Sequence, residues 1–122
     1  IDPGVISIGF SADGKSLLTG GFGGVAKAWD VQSWKPRFTS EEHWGPIKAL
    51  TMSGDILVTA SDRERNVRFW DLKNSKEILL SLNEFRAIAH ALAVAPNGQV
   101  LATGGCAFGL NGPAEVILWD LK

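Results

Sequence analysis

Short apolar segments alternate with turn sequences along this chain, and three of these alternations look alike. They are residues 6–20 (ISIGFSADGKSLLTG), 47–60 (IKALTMSGDILVTA) and 89–104 (AHALAVAPNGQVLATG). Each consists of two apolar runs separated by a turn. The glycine in each turn suits the positive φ that tight hairpins need. Each segment is therefore predicted to form a β-hairpin.

A third apolar run follows each hairpin and ends in the dipeptide Trp-Asp. The three pairs are Trp29-Asp30, Trp70-Asp71 and Trp119-Asp120, at intervals of 41 and 49 residues. Outer strands are predicted at 34–39 and 77–82, whereas only Leu121 and Lys122 follow the third pair. Glycine and proline recur too often for long helices, so an all-β chain is predicted.

The hairpins and the Trp-Asp ends together resemble the WD-repeat (WD40) family over nearly the whole chain. The resemblance implies β-propeller blades: three four-stranded antiparallel sheets packed face to face in an incomplete ring. It divides residues 1–122 into approximate units 1–40, 41–83 and 84–122. The last strand of one repeat completes the edge of a neighbouring blade in this family, so the third unit is expected to lack its outer strand here.

The family often carries a buried hydrogen-bond network of a His, a Ser or Thr, an Asp and the Trp. The residues that the resemblance makes structural are Trp29, Asp30, His43, Thr59, Trp70, Asp71, Thr103, Trp119 and Asp120, and Thr19 fits the hydroxyl position of the first unit. The match is partial, because Gly23-Gly24 and Phe85 stand where the first and third units would need Asp and His.

An open stack of three sheets leaves an apolar face at each end. Three wedge-shaped sheets do not close a ring, since closure needs at least four, and large exposed apolar faces mark interfaces or aggregation sites. Two explanations remain open. Either the chain works within a longer polypeptide or a multi-chain assembly, or identical copies associate, two giving six blades and three giving nine.

The resemblance places the loops before the inner strands and before the third strands on one rim. The residues expected there as partner contacts are Trp44, Phe85, Arg86, Asp62, Arg63 and Arg65. Trp and Arg are enriched at binding hot spots. The segment 106–113, which includes Cys106, is predicted to be a long loop on the same rim. The chain is thus predicted to be an interaction scaffold for proteins or peptides.

Composition and charge limit which partners, cofactors and cell compartment are expected. A net charge of −1 gives no basic excess for nucleic-acid binding. The single cysteine and two histidines lack metal-ligand spacing, so no metal or cofactor is expected, and one cysteine fits a reducing intracellular, cytoplasmic setting. No apolar run approaches the ~20 residues that span a bilayer, so no membrane partner is expected.

One motif offers an enzymatic alternative. Residues 9–16 (GFSADGKS) fit the phosphate-binding pattern G-x-x-x-x-G-K-[ST], with Lys15 as the phosphate contact of a nucleotide-hydrolysing enzyme. That mechanism needs a helix after the loop, whereas residues 16–21 read as a strand. The glycines of 20–24 and 104–105 are interpreted as flexible loops for the same reason. The chain is therefore predicted not to be an enzyme.

Overall fold

The computed structural model describes residues 4–11, 13–40, 45–61, 67–78, 87–95, 97–107 and 114–120. These residues form three antiparallel sheets. The first sheet contains β1 (Val5–Phe10), β2 (Ser16–Gly21), β3 (Ala26–Asp30) and β4 (Pro36–Thr39). The second contains β5 (Ile47–Ser53), β6 (Ile56–Ser61), β7 (Arg68–Asp71) and β8 (Lys76–Ile78). The third contains β9 (Ala87–Val94), β10 (Val100–Ala107) and β11 (Ala114–Asp120).

The all-β prediction is confirmed, and the Trp-Asp pairs end strands as expected. β3, β7 and β11 terminate at Asp30, Asp71 and Asp120. In the three hairpin turns the backbone has a positive φ at equivalent glycines, Gly14, Gly54 and Gly98. Glycine adopts this conformation without the steric cost that a β-carbon brings. The third sheet has three strands in its described part, in line with the expected lack of an outer strand.

Two expectations about glycine-rich segments were wrong. β10 extends to Ala107, so Cys106 lies in a strand, where it pairs with Ile88 and Ala114, and not in a loop. Gly20, Gly21, Gly104 and Gly105 are likewise strand residues. Glycine has a low β-propensity. However, β2 and β10 each pair with a strand on both sides, and this pairing outweighs the low propensity. The remainder of the predicted loop, residues 108–113, lies outside the described residues.

The first outer strand begins later than predicted. β4 begins at Pro36 because Trp34 has a φ of 58°, which belongs to a turn and not to a strand. β8 covers Lys76–Ile78, and residues 79–82 of the predicted strand lie outside the described part. In both sheets the outer strand pairs with the strand that ends in Trp-Asp.

The second sheet lies between the other two. β1 and β2 pack on β5, and β5 and β6 pack on β9. One hydrophobic core therefore forms between the first and second sheets, and another between the second and third. The described strands do not close a ring, so the far faces of the first and third sheets remain open.

Candidate functional site

The three sheets share one side-chain register, which we describe as rows across the inner three strands. Residues directly opposite one another in paired strands share a face of the sheet. The row that contains the Trp-Asp tryptophan, here called the tryptophan row, is Phe10-Leu17-Trp29 in the first sheet, Met52-Leu57-Trp70 in the second and Val94-Leu101-Trp119 in the third.

A second row, one residue along each strand, faces the other way, because successive side chains of a strand alternate between faces. This opposite row is Gly9-Leu18-Ala28 in the first sheet, Thr51-Val58-Phe69 in the second and Ala93-Ala102-Leu118 in the third. Each sheet thus has a face with a tryptophan and a face without one.

Where two sheets meet, the tryptophan row of one sheet packs on the opposite row of its neighbour. Leu57 and Trp70 share the core between the first and second sheets with Leu18 and Ala28. The ring of Phe38 contributes to the same contact, with its centroid 6.0 Å from the Trp70 ring. The next core repeats this arrangement, with Leu101 and Trp119 packed against the opposite face of the second sheet.

A hydrogen bond fixes each tryptophan in its row. The indole Nε1 donates to a threonine Oγ1 on the neighbouring strand, from Trp29 to Thr19 at 3.0 Å, from Trp70 to Thr59 at 2.8 Å and from Trp119 to Thr103 at 3.0 Å. A buried indole N–H needs such a partner, because leaving it unpaired costs free energy. The repeated bond links the second and third strands of each sheet.

The aspartates of the first two Trp-Asp pairs hold the turns that follow them. Asp30 accepts hydrogen bonds from the Ser33 hydroxyl and the backbone N–H of Gln32, and Asp71 accepts one from the side-chain amide of Asn74. The Ser33 hydroxyl lowers the pKa of Asp30 below its ordinary value of 3.8, because it stabilises the charged carboxylate. The Asn74 side chain lowers the pKa of Asp71 in the same way.

No described strand covers the two end faces. On the tryptophan-row side of the first sheet, Ile8 is 67% exposed and Phe10 is 65% exposed. On the far side of the third sheet, Val116 is 78% exposed and Leu118 is 70% exposed. Aliphatic and aromatic side chains exposed together on one face of a sheet are typical of an interface.

The phosphate-binding motif forms a closed hairpin turn. Asp13 Oδ1 accepts a hydrogen bond from the backbone N–H of Lys15 at 2.9 Å and one from the Ser11 hydroxyl at 2.6 Å. Ser16 begins strand β2 and its N–H donates to Ser11 Oγ. A phosphate-binding loop needs free backbone N–H groups and a following helix. Here the turn's own carboxylate takes one amide, and a strand follows.

Neither metal chemistry nor a membrane crossing is indicated by the described part of the chain. Among those residues, no group of three or more His, Cys, Asp and Glu side chains is placed to hold a metal ion. Within the same residues, no helix has the length and apolar character to cross a bilayer.

Comparison with known proteins agrees with the repeated geometry. A family model described as "WD domain, G-beta repeat" matches residues 2–30, which include the first hairpin and the first Trp-Asp pair. The WD repeat and SOCS box-containing protein 1 of Xenopus tropicalis is 28% identical over 114 residues, which are 92% of this chain and 26% of that protein. The chain belongs to the WD40 repeat family.

Two further similarities extend over most of these WD40 blades. The small ribosomal subunit protein RACK1 of Neurospora crassa is 35% identical over 107 residues, or 87% of this chain and 31% of that protein. A chain in the crystal structure of the mitotic checkpoint complex superposes with a TM-score of 0.79 at 24% identity, covering 95% of this chain and 34% of that one. The chain spans less than a third of the length of the two curated relatives.

The residues predicted as rim contacts lie outside the described part of these WD40 blades. They are Trp44, Phe85, Arg86, Asp62, Arg63 and Arg65, and the structural candidate His43 lies outside it as well. The described residues that flank two of these segments meet at one edge of the second blade, since Ile47 pairs with Ser61. Whether the six side chains contact a partner stays a prediction.

The structure adds one aromatic residue that the sequence analysis missed. Phe22 is 58% exposed and lies in the turn between β2 and β3 of the first blade. Residues 62–66 occupy the equivalent place in the sequence of the second blade, between β6 and β7. The backbone N–H of Phe22 donates to Gly4 O at 3.0 Å, which ties the turn to the start of β1. Phe22 was not singled out because the glycines on either side of it led to the interpretation of residues 20–24 as a flexible loop.

Proposed function

We propose that this chain is a non-catalytic WD40 scaffold that binds protein or peptide partners along the rim where β5 begins and β6 ends. The observation that carries the proposal is Phe22, a large aromatic side chain exposed on the matching edge of the first blade. Aromatic side chains on the turns of a rigid scaffold are typical binding hot spots.

Polar side chains in the described blades form hydrogen bonds within the fold, and this supports a role without catalysis. Asp13, Asp30 and Asp71 hold their own turns, and the threonines of the tryptophan rows hold indole groups. These groups maintain the fold and do not converge on a pocket. The aromatic and arginine residues predicted for the rim offer contact area and hydrogen-bond donors, which suit recognition of another protein.

The proposed setting is intracellular. The name of the Neurospora relative places that protein in the small ribosomal subunit, which is an assembly inside the cell. A single cysteine in 122 residues fits a reducing compartment, because it offers no second thiol within the chain for a disulfide.

The test compares the two edges of the blades. The double variant Trp44→Ala, Arg86→Ala and the single variant Phe22→Ala remove rim side chains, whereas Trp34→Ala removes an exposed tryptophan from the opposite edge. Each purified chain is used to capture proteins from cell extract, which are quantified by mass spectrometry. The rim variants should lose the partners of the parent chain, and Trp34→Ala should retain them. Loss with Trp34→Ala alone would contradict the rim assignment.

A further inference from the structure

We propose that Asn97 is a site of spontaneous deamidation, and that a contact between Ser53 and the turn that contains Asn97 slows the reaction in the folded chain. The site lies in the turn between β9 and β10, at the edge of the blades opposite the rim. It therefore goes beyond the proposed function, and either proposal can fail without the other.

The first argument is the chemistry of the pair Asn97-Gly98. Asparagine is thermolabile, and a glycine after it leaves the attacking backbone nitrogen without a neighbouring side chain. The nitrogen of Gly98 loses its proton and bonds to Asn97 Cγ, the bond from Cγ to Nδ2 breaks, and the amide group leaves with a proton as ammonia. Water then opens the cyclic imide to aspartate or isoaspartate. Asn97 is exposed, so water reaches it.

The second argument is that the folded turn holds both reacting groups. The N–H of Gly98 donates to Ala95 O at 2.8 Å, and the N–H of Gln99 donates to Asn97 Oδ1 at 3.0 Å. Ring closure removes the proton of the first bond, which leaves a negative nitrogen facing a carbonyl oxygen. It also moves the side chain of Asn97 out of the second bond. The reaction therefore has to wait until the turn opens locally.

The third argument is that the second blade holds this turn closed. Ser53 ends β5, and its Oγ donates to Gly98 O at 3.3 Å. A β-carbon built on Gly98 would lie 3.2 Å from the same Oγ, so the two blades are in close contact there. Opening of the turn breaks this contact as well as the bonds within the turn. The deamidation rate of Asn97 thus depends on the packing of the third blade on the second.

The equivalent turn of the first blade indicates which product fits. Asp13 has the position of Asn97, and its Oδ1 accepts a hydrogen bond from the N–H of Lys15 at 2.9 Å, as Asn97 Oδ1 does from Gln99. An aspartate formed at position 97 can therefore keep the turn. Isoaspartate adds a methylene group to the main chain, so it cannot keep the same turn. Deamidation here converts a loss of contact between blades into a permanent chemical change.

The first experiment compares the folded and the unfolded chain. The parent chain is incubated in mildly alkaline buffer with and without guanidinium chloride, and peptide mapping by mass spectrometry gives the rate at each asparagine. In denaturant, Asn97 and Asn111 should react at similar rates, because glycine follows both. In buffer, Asn97 should react at least about tenfold more slowly than in denaturant, because local opening limits the reaction. Equal rates at Asn97 in the two solutions, or no reaction in denaturant, would overturn the proposal.

The second experiment removes the contact between the blades. In buffer, Ser53→Ala should raise the rate at Asn97 roughly 2- to 10-fold, the range that corresponds to one hydrogen bond. Ser7→Ala is the matched control, because Ser7 Oγ donates to Ile47 O at 2.9 Å between the first and second blades. It should leave the rate at Asn97 unchanged, and in denaturant both variants should equal the parent chain.

The comparison of the two serine variants separates a local effect from general stability. Equal acceleration by Ser7→Ala and Ser53→Ala would show that the rate follows the stability of the whole chain, and would overturn the role of Ser53. A rate in Ser53→Ala that equals that of the parent chain in buffer would overturn it too.

Discussion

The indole Nε1 of Trp70 lies 2.8 Å from Thr59 Oγ1, and both side chains are buried. The equivalent pair in the first blade, Trp29 and Thr19, has nearly the same distance, 3.0 Å, but Trp29 is only half-buried. Water can replace a lost partner at a half-buried indole and not at a buried one. The same hydrogen bond should therefore contribute differently to stability in the two blades.

Removing the threonine hydroxyl tests this difference. Thr59→Val keeps the side-chain shape and removes the hydroxyl that accepts a hydrogen bond from the buried indole N–H of Trp70, so the free energy of unfolding should fall by about 1–3 kcal/mol. Thr19→Val is the matched control and should cost less than about 1 kcal/mol, since water reaches Trp29. Urea unfolding followed by fluorescence measures both values. Equal losses would show that burial does not decide the strength of the bond.

Gly20 should not tolerate a side chain. A β-carbon there would lie 2.5 Å from Ser7 Oγ and 2.6 Å from Ile47 Cγ2, where Ser7 Oγ donates to Ile47 O and links the first two blades. Gly20→Ala should lower the free energy of unfolding by about 1–3 kcal/mol through overpacking.

Gly23→Ala is the control for this substitution. A β-carbon at Gly23 meets no described atom within 4 Å outside its immediate neighbours in the chain. Thermal unfolding should find Gly23→Ala unchanged or slightly stabilised, and an equal loss at both glycines would refute the close-contact explanation.

Trp34 occupies a conformation that disfavours its side chain. Its φ is 58°, and Ser75 has a φ of 55° at the equivalent position of the second blade. The left-handed region costs an L-residue about 1–2 kcal/mol, and glycine avoids that cost while losing about 0.5–1 kcal/mol of chain entropy. Because the indole is 59% exposed, Trp34→Gly should raise the free energy of unfolding by about 0.5–1 kcal/mol.

Calorimetry of Trp34→Gly beside Ser75→Gly checks this expectation. Both substitutions should raise the melting temperature. A lower melting temperature for Trp34→Gly alone would mean that packing of the indole outweighs the backbone strain.

The turn aspartates should make stability depend on acid pH. The folded-state pKa of Asp71 lies below the ordinary value of 3.8, chiefly because the Asn74 side chain donates to the carboxylate. A lowered folded-state pKa adds stability that is fully present above the unfolded-state pKa and is lost as the pH falls through the folded-state value.

The urea concentration at the unfolding midpoint should fall as the pH is lowered from about 6 to about 3, the range in which carboxyl groups titrate. In Asp71→Asn this decrease should be smaller than in the parent chain. Asn74→Ala should flatten it as well, because it removes the main donor. A variant with the same slope as the parent chain would contradict the assignment.

Much of this fold could be predicted from the sequence because its signals are local and repeated. Glycine in the turns fixes the hairpins, and the apolar runs that end at Trp70 and Trp119 mark the third strands. The interval between Trp-Asp pairs indicates separate sheets. Each signal depends on neighbours in the chain, so no tertiary information was needed to find it.

The features that the sequence did not reveal depend on contacts between distant strands. Cys106 is a strand residue only because β9 and β11 pair with β10 on both sides. Which face of each sheet carries the tryptophan row, and which neighbour covers it, is set by packing between sheets. Exposure of Phe22 and the turn conformation of Trp34 likewise appear only in three dimensions.

The central structural claim is that the first blade covers the tryptophan row of the second blade. Hydrogen exchange of the indole N–H groups, followed by nuclear magnetic resonance, measures this directly. The indole of Trp70, which is 1% exposed, should exchange much more slowly than the half-buried indole of Trp29. Exchange of Trp70 as fast as that of Trp29 would contradict the claim.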